Sequence, residues 1–148
     1  MKTPHLIQLP KLGDPAIGYI SVIEQQQVVP FEIKRIFWTY YTPENFEAAR
    51  KTGDIVLVKF TAAWCQNCQY VEQTVYTDKA ALDSLKQHKV IMLKADLTRA
   101  EAPGWSLLKK LNPSGGIPLT AIYEPNASEP LQLTSIYTSS DLINALKS

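Results

Sequence analysis

Two near-continuous apolar runs limit what this chain can become more than any other feature. DIVLVKFTA at residues 54–62 and KVIMLKADL at residues 89–97 carry few polar interruptions. Runs of this length read as strands buried on both faces, and such strands belong to sheets covered by helices on both sides. The segments around them have helical character. TPENFEAARKTG places Thr42 as a cap, Pro43 at the first helical position, Glu44 near the positive end and Gly53 as a stop. A helical pattern follows Cys65 to about Val75, and a second helix starts near Asp78.

Past the second apolar run, APGWSLLKKLN forms a short helix ending before Pro113, SGGIP a turn, and LTAIYE (residues 119–124) a strand. PNASEP is a hairpin loop leading into LQLTSIYT, and TSSDLINALKS closes the chain as a helix with Thr138 and Asp141 spaced as a capping box. From residue 55 the order is strand, helix, strand, helix, strand, strand, helix. That order makes an α/β chain with parallel strands joined through helices and a final hairpin.

Residues 1–30 differ in texture, being rich in Pro, Gly and Gln with a short strand at YISVI (residues 19–23). They read as an arm or linker before a domain over 31–148, whose first segment, FEIKRIFWTY, is β-prone. A chain of 148 residues suffices for one domain with a real core. A net charge of +1 gives no bulk attraction to nucleic acid or an anionic membrane. No apolar run approaches the ~20 residues that span a bilayer, so no membrane insertion by this segment is expected. MKTPHLIQLPKLGDP is broken by prolines and charges and lacks the apolar core of a signal peptide. Two readings stay open: a cytoplasmic protein, or a mature or excised portion of an exported one.

Cys65 and Cys68, the only two cysteines, lie in TAAWCQNCQY, between a buried strand and a helix. A structural zinc site takes four ligands, and only His5 and His88 are left to complete one, without ligand spacing; no metal is expected. A crosslink for stability alone closes too small a loop to matter. A redox pair fits the context, with the Cys65–Cys68 disulfide itself in place of any cofactor. Cys65 at the helix N-terminus gains thiolate stabilisation from unpaired N–H groups and the dipole. Cys68, one turn on, is within reach to close a disulfide. Cys65 is therefore the expected nucleophile and Cys68 the more buried, resolving thiol. Trp64 offers an apolar docking surface beside the nucleophile, whereas Trp38 and Trp105 read as packing residues. Glu72, at i+4 from Cys68, is placed to exchange a proton with it or else to be a solvated helix glutamate. Gln66 and Asn67 bring neither charge nor stiffness to the motif, which leaves the direction of electron flow open.

VLVKFTAAWCQNC resembles the active-site segment of the thioredoxin superfamily, and GGIP about fifty residues later resembles its Gly-Ile/Val-Pro turn. Within the superfamily, the sequence looks most like the C-terminal thioredoxin-like domain of DsbD-type thiol:disulfide interchange proteins. That likeness rests on FTAAWCQNC, Glu72, LKADLT, LLKKLNPSGGIPLTAIY and LINALK. It implies a thioredoxin-like fold, a central mixed sheet flanked by helices. It implies a cis Pro118 beside the cysteines and an Ile117 backbone that pairs with an extended substrate. It implies a thiol–disulfide oxidoreductase or electron-relay domain of the bacterial periplasm or envelope, expected as a monomer. Its partners would be other thiol/disulfide proteins, a membrane electron-transfer domain among them. A free-standing envelope reductase, for instance in cytochrome c maturation, and a non-catalytic thioredoxin-fold binding module are the alternatives. Two residues depart from the pattern, and the lesser is Ala63, where many DsbD-like sequences carry Asp immediately before the Trp. Lys59 stands where thioredoxins commonly carry a buried Asp. It must reach water or find a partner, with Glu72 and Asp96 as candidates, and if charged near the sulfurs it tunes their redox chemistry.

Overall fold

The computed structural model describes residues 38–147 in full, together with the backbone of two earlier strands. The chain divides into two compact units, Met1–Ile36 and Phe37–Ser148. In the first, β1 (Lys11–Asp14) pairs antiparallel with β2 (Gly18–Ser21), Lys11 opposite Ser21. The strand expected at residues 19–23 thus has its described part in β2. Of FEIKRIFWTY, residues 31–37 lie outside the described residues.

In the second unit β3 (Thr39–Tyr40) leads into α1 (Pro43–Lys51). Thr42 caps α1, its hydroxyl accepting the Asn45 N–H at 3.1 Å. Gly53 follows at φ +80°, a conformation that L side chains resist, and turns the chain into β4 (Val56–Thr61). Then come α2 (Gln66–Thr74), α3 (Lys79–Gln87), β5 (Ile91–Asp96) and α4 (Gly104–Leu111). β6 (Leu119–Tyr123), β7 (Leu131–Thr134) and α5 (Ser139–Lys147) complete the unit. Asp78 caps α3, and Thr138 with Asp141 forms the reciprocal cap of α5: the carboxylate accepts the Thr138 N–H and the Thr138 hydroxyl accepts the Asp141 N–H.

The five strands order as β3-β5-β4-β6-β7. β4 and β3 both run parallel to β5; β6 runs antiparallel to β4, and β7 to β6. The sheet is therefore mixed, with β6 reversed relative to the run of parallel strands read from the element order. The connection from β5 through α4 leaves and re-enters the sheet at one end. The register puts Leu119 opposite Phe60, so Pro118 lies at the end of β4 from which the cysteine loop springs.

β4 is central, and none of its residues is more than 5% exposed. Its alternate side chains serve the two helical layers. Val56, Val58 and Phe60 pack with Leu93, Leu97, Leu108 and both cysteines in one apolar cluster. α3 and α5 pack together, with Leu85 and Leu142 among their buried residues. At Gly104 a Cβ would meet the side chains of Ala95 and Leu97 at 3.0 Å, so the absence of a side chain lets α4 close onto β5.

Candidate active site

The end of β4 sets the site. After Thr61 the strand stops in a tight turn, the Cys65 N–H donating to the Ala62 carbonyl at 3.1 Å. Cys65 then occupies the N-cap of α2 in extended backbone (φ −94°, ψ 99°). Its Sγ accepts the Cys68 N–H at 3.2 Å. The sulfur thus takes the role that a Ser or Asp oxygen plays at ordinary N-caps, facing donors that the helix leaves free. Cys65 and Cys68 are disulfide-bonded, their Cα atoms 5.3 Å apart. Cys65 retains 7% exposure and Cys68 2%, so the N-terminal cysteine is the more accessible residue, within a site more enclosed than the sequence suggested. Gln66 and Asn67 are exposed on the first turn.

Trp64 stands 59% exposed immediately before the pair. The loop beneath it is tied on both sides. The Ala63 N–H donates to Thr98 Oγ1 at 2.9 Å, and the Ala63 carbonyl accepts from Gln69 Nε2 at 2.8 Å. A cleft of about 510 Å³ lined by Ala63, Thr98, Arg99, Ala102 and Pro103 adjoins this loop. The Ile117–Pro118 peptide is cis. Pro118 is buried, its carbonyl accepting the Ser135 N–H at 3.0 Å, while Ile117 is half-buried and its backbone polar groups have no partner among the described residues.

Lys59 does not reach water. Its side chain is 6% exposed, and Nζ lies 2.8 Å from Glu72 Oε1, one helical turn beyond Cys68 on α2. The ammonium also sits 4.0 Å from the ring centre of Trp38 and 4.7 Å from that of Tyr76, and those two rings meet edge to face at 5.1 Å. Burial holds the Lys59 pKa below its ordinary value, against the opposing pull of Glu72. Lys94 approaches the same carboxylate oxygen at 3.8 Å. Glu72 Oε1 is buried and takes no well-formed hydrogen bond, so charge is what holds it. A small polar cleft of about 210 Å³, lined by Thr61, Gln69, Lys94 and Asp96 among others, opens beside Glu72.

Of the two candidate partners for Lys59, Glu72 is the one engaged. Asp96 instead accepts the Thr98 hydroxyl and, at 3.0 Å, the Thr98 N–H, which pull its pKa below the usual carboxylate range. Glu72 is neither a freely solvated helix residue nor a lone acid: it is half of an ion pair. Sequence reading also missed the roles of Trp38 and Tyr76, whose rings cage the cation. Tyr76 belongs to a buried hydroxyl chain, its OH 2.7 Å from Tyr137 OH, which lies 2.7 Å from Thr120 Oγ1. Trp105, on the first turn of α4, packs against the apolar cluster and donates its indole N–H to the Arg99 carbonyl at 2.8 Å. His88 Nδ1 lies 2.8 Å from the Ser84 carbonyl, and among the described residues no group of His, Cys, Asp and Glu is disposed to hold a metal.

Comparison with known proteins agrees with this geometry. Residues 37–125 match the profile of a family described as thioredoxin-like. A second profile, described as WxcM-like, C-terminal, matches residues 2–61, less than half the chain. The chain is 25% identical over 92 residues to a protein named thiol:disulfide interchange protein DsbD from Campylobacter jejuni, covering 62% of this chain and 16% of that one. It is 35% identical over 69 residues to the protein of that name from Pseudomonas fluorescens, covering 47% and 12%. The chain therefore spans less than a fifth of the curated relatives it matches. The crystal structure of the reduced DsbD C-terminal domain from Neisseria meningitidis superposes with a TM-score of 0.59 at 17% identity, over 74% of this chain and 97% of that domain. That likeness is one of fold.

Proposed function

The chain belongs to the thioredoxin-like family and is homologous to a segment of the DsbD thiol:disulfide interchange proteins, and from that premise we propose that it passes reducing equivalents between partner proteins by dithiol–disulfide exchange. The observation that carries this reading is the Cys65–Cys68 disulfide set at the N-terminus of α2, with the Cys68 N–H already directed at Cys65 Sγ. When the pair is reduced, that N–H and the helix dipole favour a Cys65 thiolate. The thiolate attacks a partner disulfide. A Cys65–partner bond forms, and the partner's other sulfur leaves as a thiolate that takes up a proton. Cys68 then loses its proton and attacks Cys65 Sγ, and the second partner sulfur departs. Two electrons have moved to the partner, and the Cys65–Cys68 disulfide is restored. The reverse sequence reloads the dithiol from an upstream donor.

Trp64 and the free Ile117 backbone supply docking for an extended partner segment, and Gln66 and Asn67 border the sulfurs. Glu72, held by Lys59, is the acid nearest along α2 to Cys68 for its proton. The partners are thiol/disulfide proteins, with a membrane electron-transfer domain as upstream donor, and the setting is the bacterial periplasm or envelope. No described helix is long and apolar enough to cross a membrane, which fits a domain that receives electrons from a separate membrane portion. The test is trapping. Cys68→Ser is expected to accumulate mixed disulfides that a reductant releases, and Cys65→Ser is not, because only the former keeps the attacking sulfur while losing the internal route of resolution. Equal trapping by both variants, or by neither, would remove the mechanism.

A further inference from the structure

The loop that carries Trp64 is fixed at nearly every residue except Trp64 itself. The Thr61 carbonyl accepts the Leu97 N–H at 2.7 Å, and the Ala62 carbonyl accepts the Cys65 N–H. Ala63 is held at both polar groups, by Thr98 Oγ1 on one side and Gln69 Nε2 on the other. Thr98 is itself held, because its hydroxyl, while accepting from Ala63, donates to Asp96 Oδ1. An ionised carboxylate at the end of such a chain strengthens each bond in it. Trp64 has no hydrogen-bond partner among the described residues and presents its ring to solvent.

We infer that Asp96, Thr98 and Gln69 form a clamp on Ala63 that positions Trp64 as a rigid docking anchor for the partner protein. This rests on the exchange function proposed above, and assigns to that site three positioning residues that do not touch the sulfurs. An exposed aromatic on a mobile loop loses affinity to ordering on each encounter; one on a clamped backbone has been ordered by folding already. The arrangement uses a loop between two rigid elements, β4 and α2, and borrows its third support from the end of β5. Thr98 is the member to perturb, since a β-branched Val keeps its shape and exchanges the hydroxyl for a methyl that can neither donate nor accept.

Two measurements on the oxidised and cycling protein test the clamp. The first is the backbone amide order parameter of Trp64. It is expected near the rigid value of ~0.85 in the wild type, to fall toward ~0.6 in T98V, and to recover in T98S. The second is insulin reduction with dithiothreitol as donor. T98V is expected to raise KM about three- to tenfold, the size of one lost hydrogen bond, with a smaller change in kcat. T98S restores KM, and the double variant W64A/T98V is no worse than W64A alone, because the clamp acts only through Trp64. An order parameter unmoved by T98V overturns the clamp, as do W64A and T98V effects that multiply. A wild type that turns over no disulfide defeats the exchange function instead, and the order parameter still decides whether the clamp exists.

Discussion

Replacing Lys59 by Met tests how a charge survives in the central strand. At 2.8 Å the ammonium and the Glu72 carboxylate attract by about 6 kcal/mol at an effective dielectric of ~20. Removing each ion from water costs several kcal/mol, so the pair as a whole is close to neutral for stability. The lowered Lys59 pKa has the same sign: burial outweighs the partner. Breaking the pair is a different matter, because K59M leaves a buried Oε1 with only Lys94, 3.8 Å away, among the described residues. Loss of one partner from a buried pair typically costs 3–5 kcal/mol. Glu72 is 28% exposed and Lys94 can move toward it, so about 2–3 kcal/mol is expected here. For a unit of this size that lowers Tm by roughly 10 °C or more. E72L alone is expected to be at least as damaging, since it strands the less exposed partner. The double variant K59M/E72L should return to within about 1 kcal/mol of wild type or exceed it. Urea denaturation of the oxidised protein, followed by far-ultraviolet circular dichroism at pH 7, measures all four proteins. A K59M variant as stable as wild type, or a double variant no better than the singles, would refute the reasoning.

In the reduced protein, brief iodoacetamide treatment should label Cys65 ahead of Cys68, read by mass mapping; preferential labelling of Cys68 would reverse their roles. Lys59→Asp should make the pair more reducing by on the order of 30 mV, because a carboxylate disfavours the thiolate that the ammonium favoured, and glutathione titration reads the shift. An unchanged potential would show that the charge at position 59 is not felt at the sulfurs. The hydroxyl chain predicts an alkaline limit. Burial raises the Tyr137 pKa from 10.0 to about 12 and the Tyr76 pKa well above its ordinary value. Stability from these groups is whole below pH 10 and is lost as pH rises through about 12, since the unfolded chain releases those protons first. Lys59 acts oppositely, its penalty easing as pH rises toward 10.5. Y137F should cost about 1–3 kcal/mol at pH 7 through the partners it leaves unpaired, and flatten the alkaline loss; an unaltered pH profile would clear Tyr137 of that role.

The parts of the molecule governed by local chemistry were legible in the sequence. Thr42, Asp78 and the Thr138–Asp141 pair cap helices because capping depends on residues three apart. Two buried strands followed from their apolar runs, and the redox pair from a two-residue spacing between strand and helix. What depended on the rotation of one element against another was not legible. Glu72 and Asp96 were equal candidates for Lys59 until the turn of α2 put the first beneath its ammonium and the hydroxyl of Thr98 took the second. Trp38 looked like packing because nothing in the surrounding IFWTY marks a ring that lies over a cation twenty-one residues later in the chain. Nothing local marked Thr98, whose role is set by Ala63, thirty-five positions earlier. The reversal of β6 was hidden from the element order, since a helix between two strands does not say at which end of the sheet the chain returns; only the family resemblance, with its mixed sheet, carried it.

The central place of β4 has a kinetic meaning. Both of its edges are hydrogen-bonded, to β5 along six residues and to β6 along five, and its side chains are buried in both layers. Amides so placed exchange with deuterium only when the whole unit opens, whereas those of the edge strands β3 and β7 exchange through local fraying. The cysteine loop therefore hangs from the last part of the sheet to let solvent in. Each oxidation and reduction rearranges bonds at the tip of the slowest-opening strand, so the protein can turn over many times between one global opening and the next.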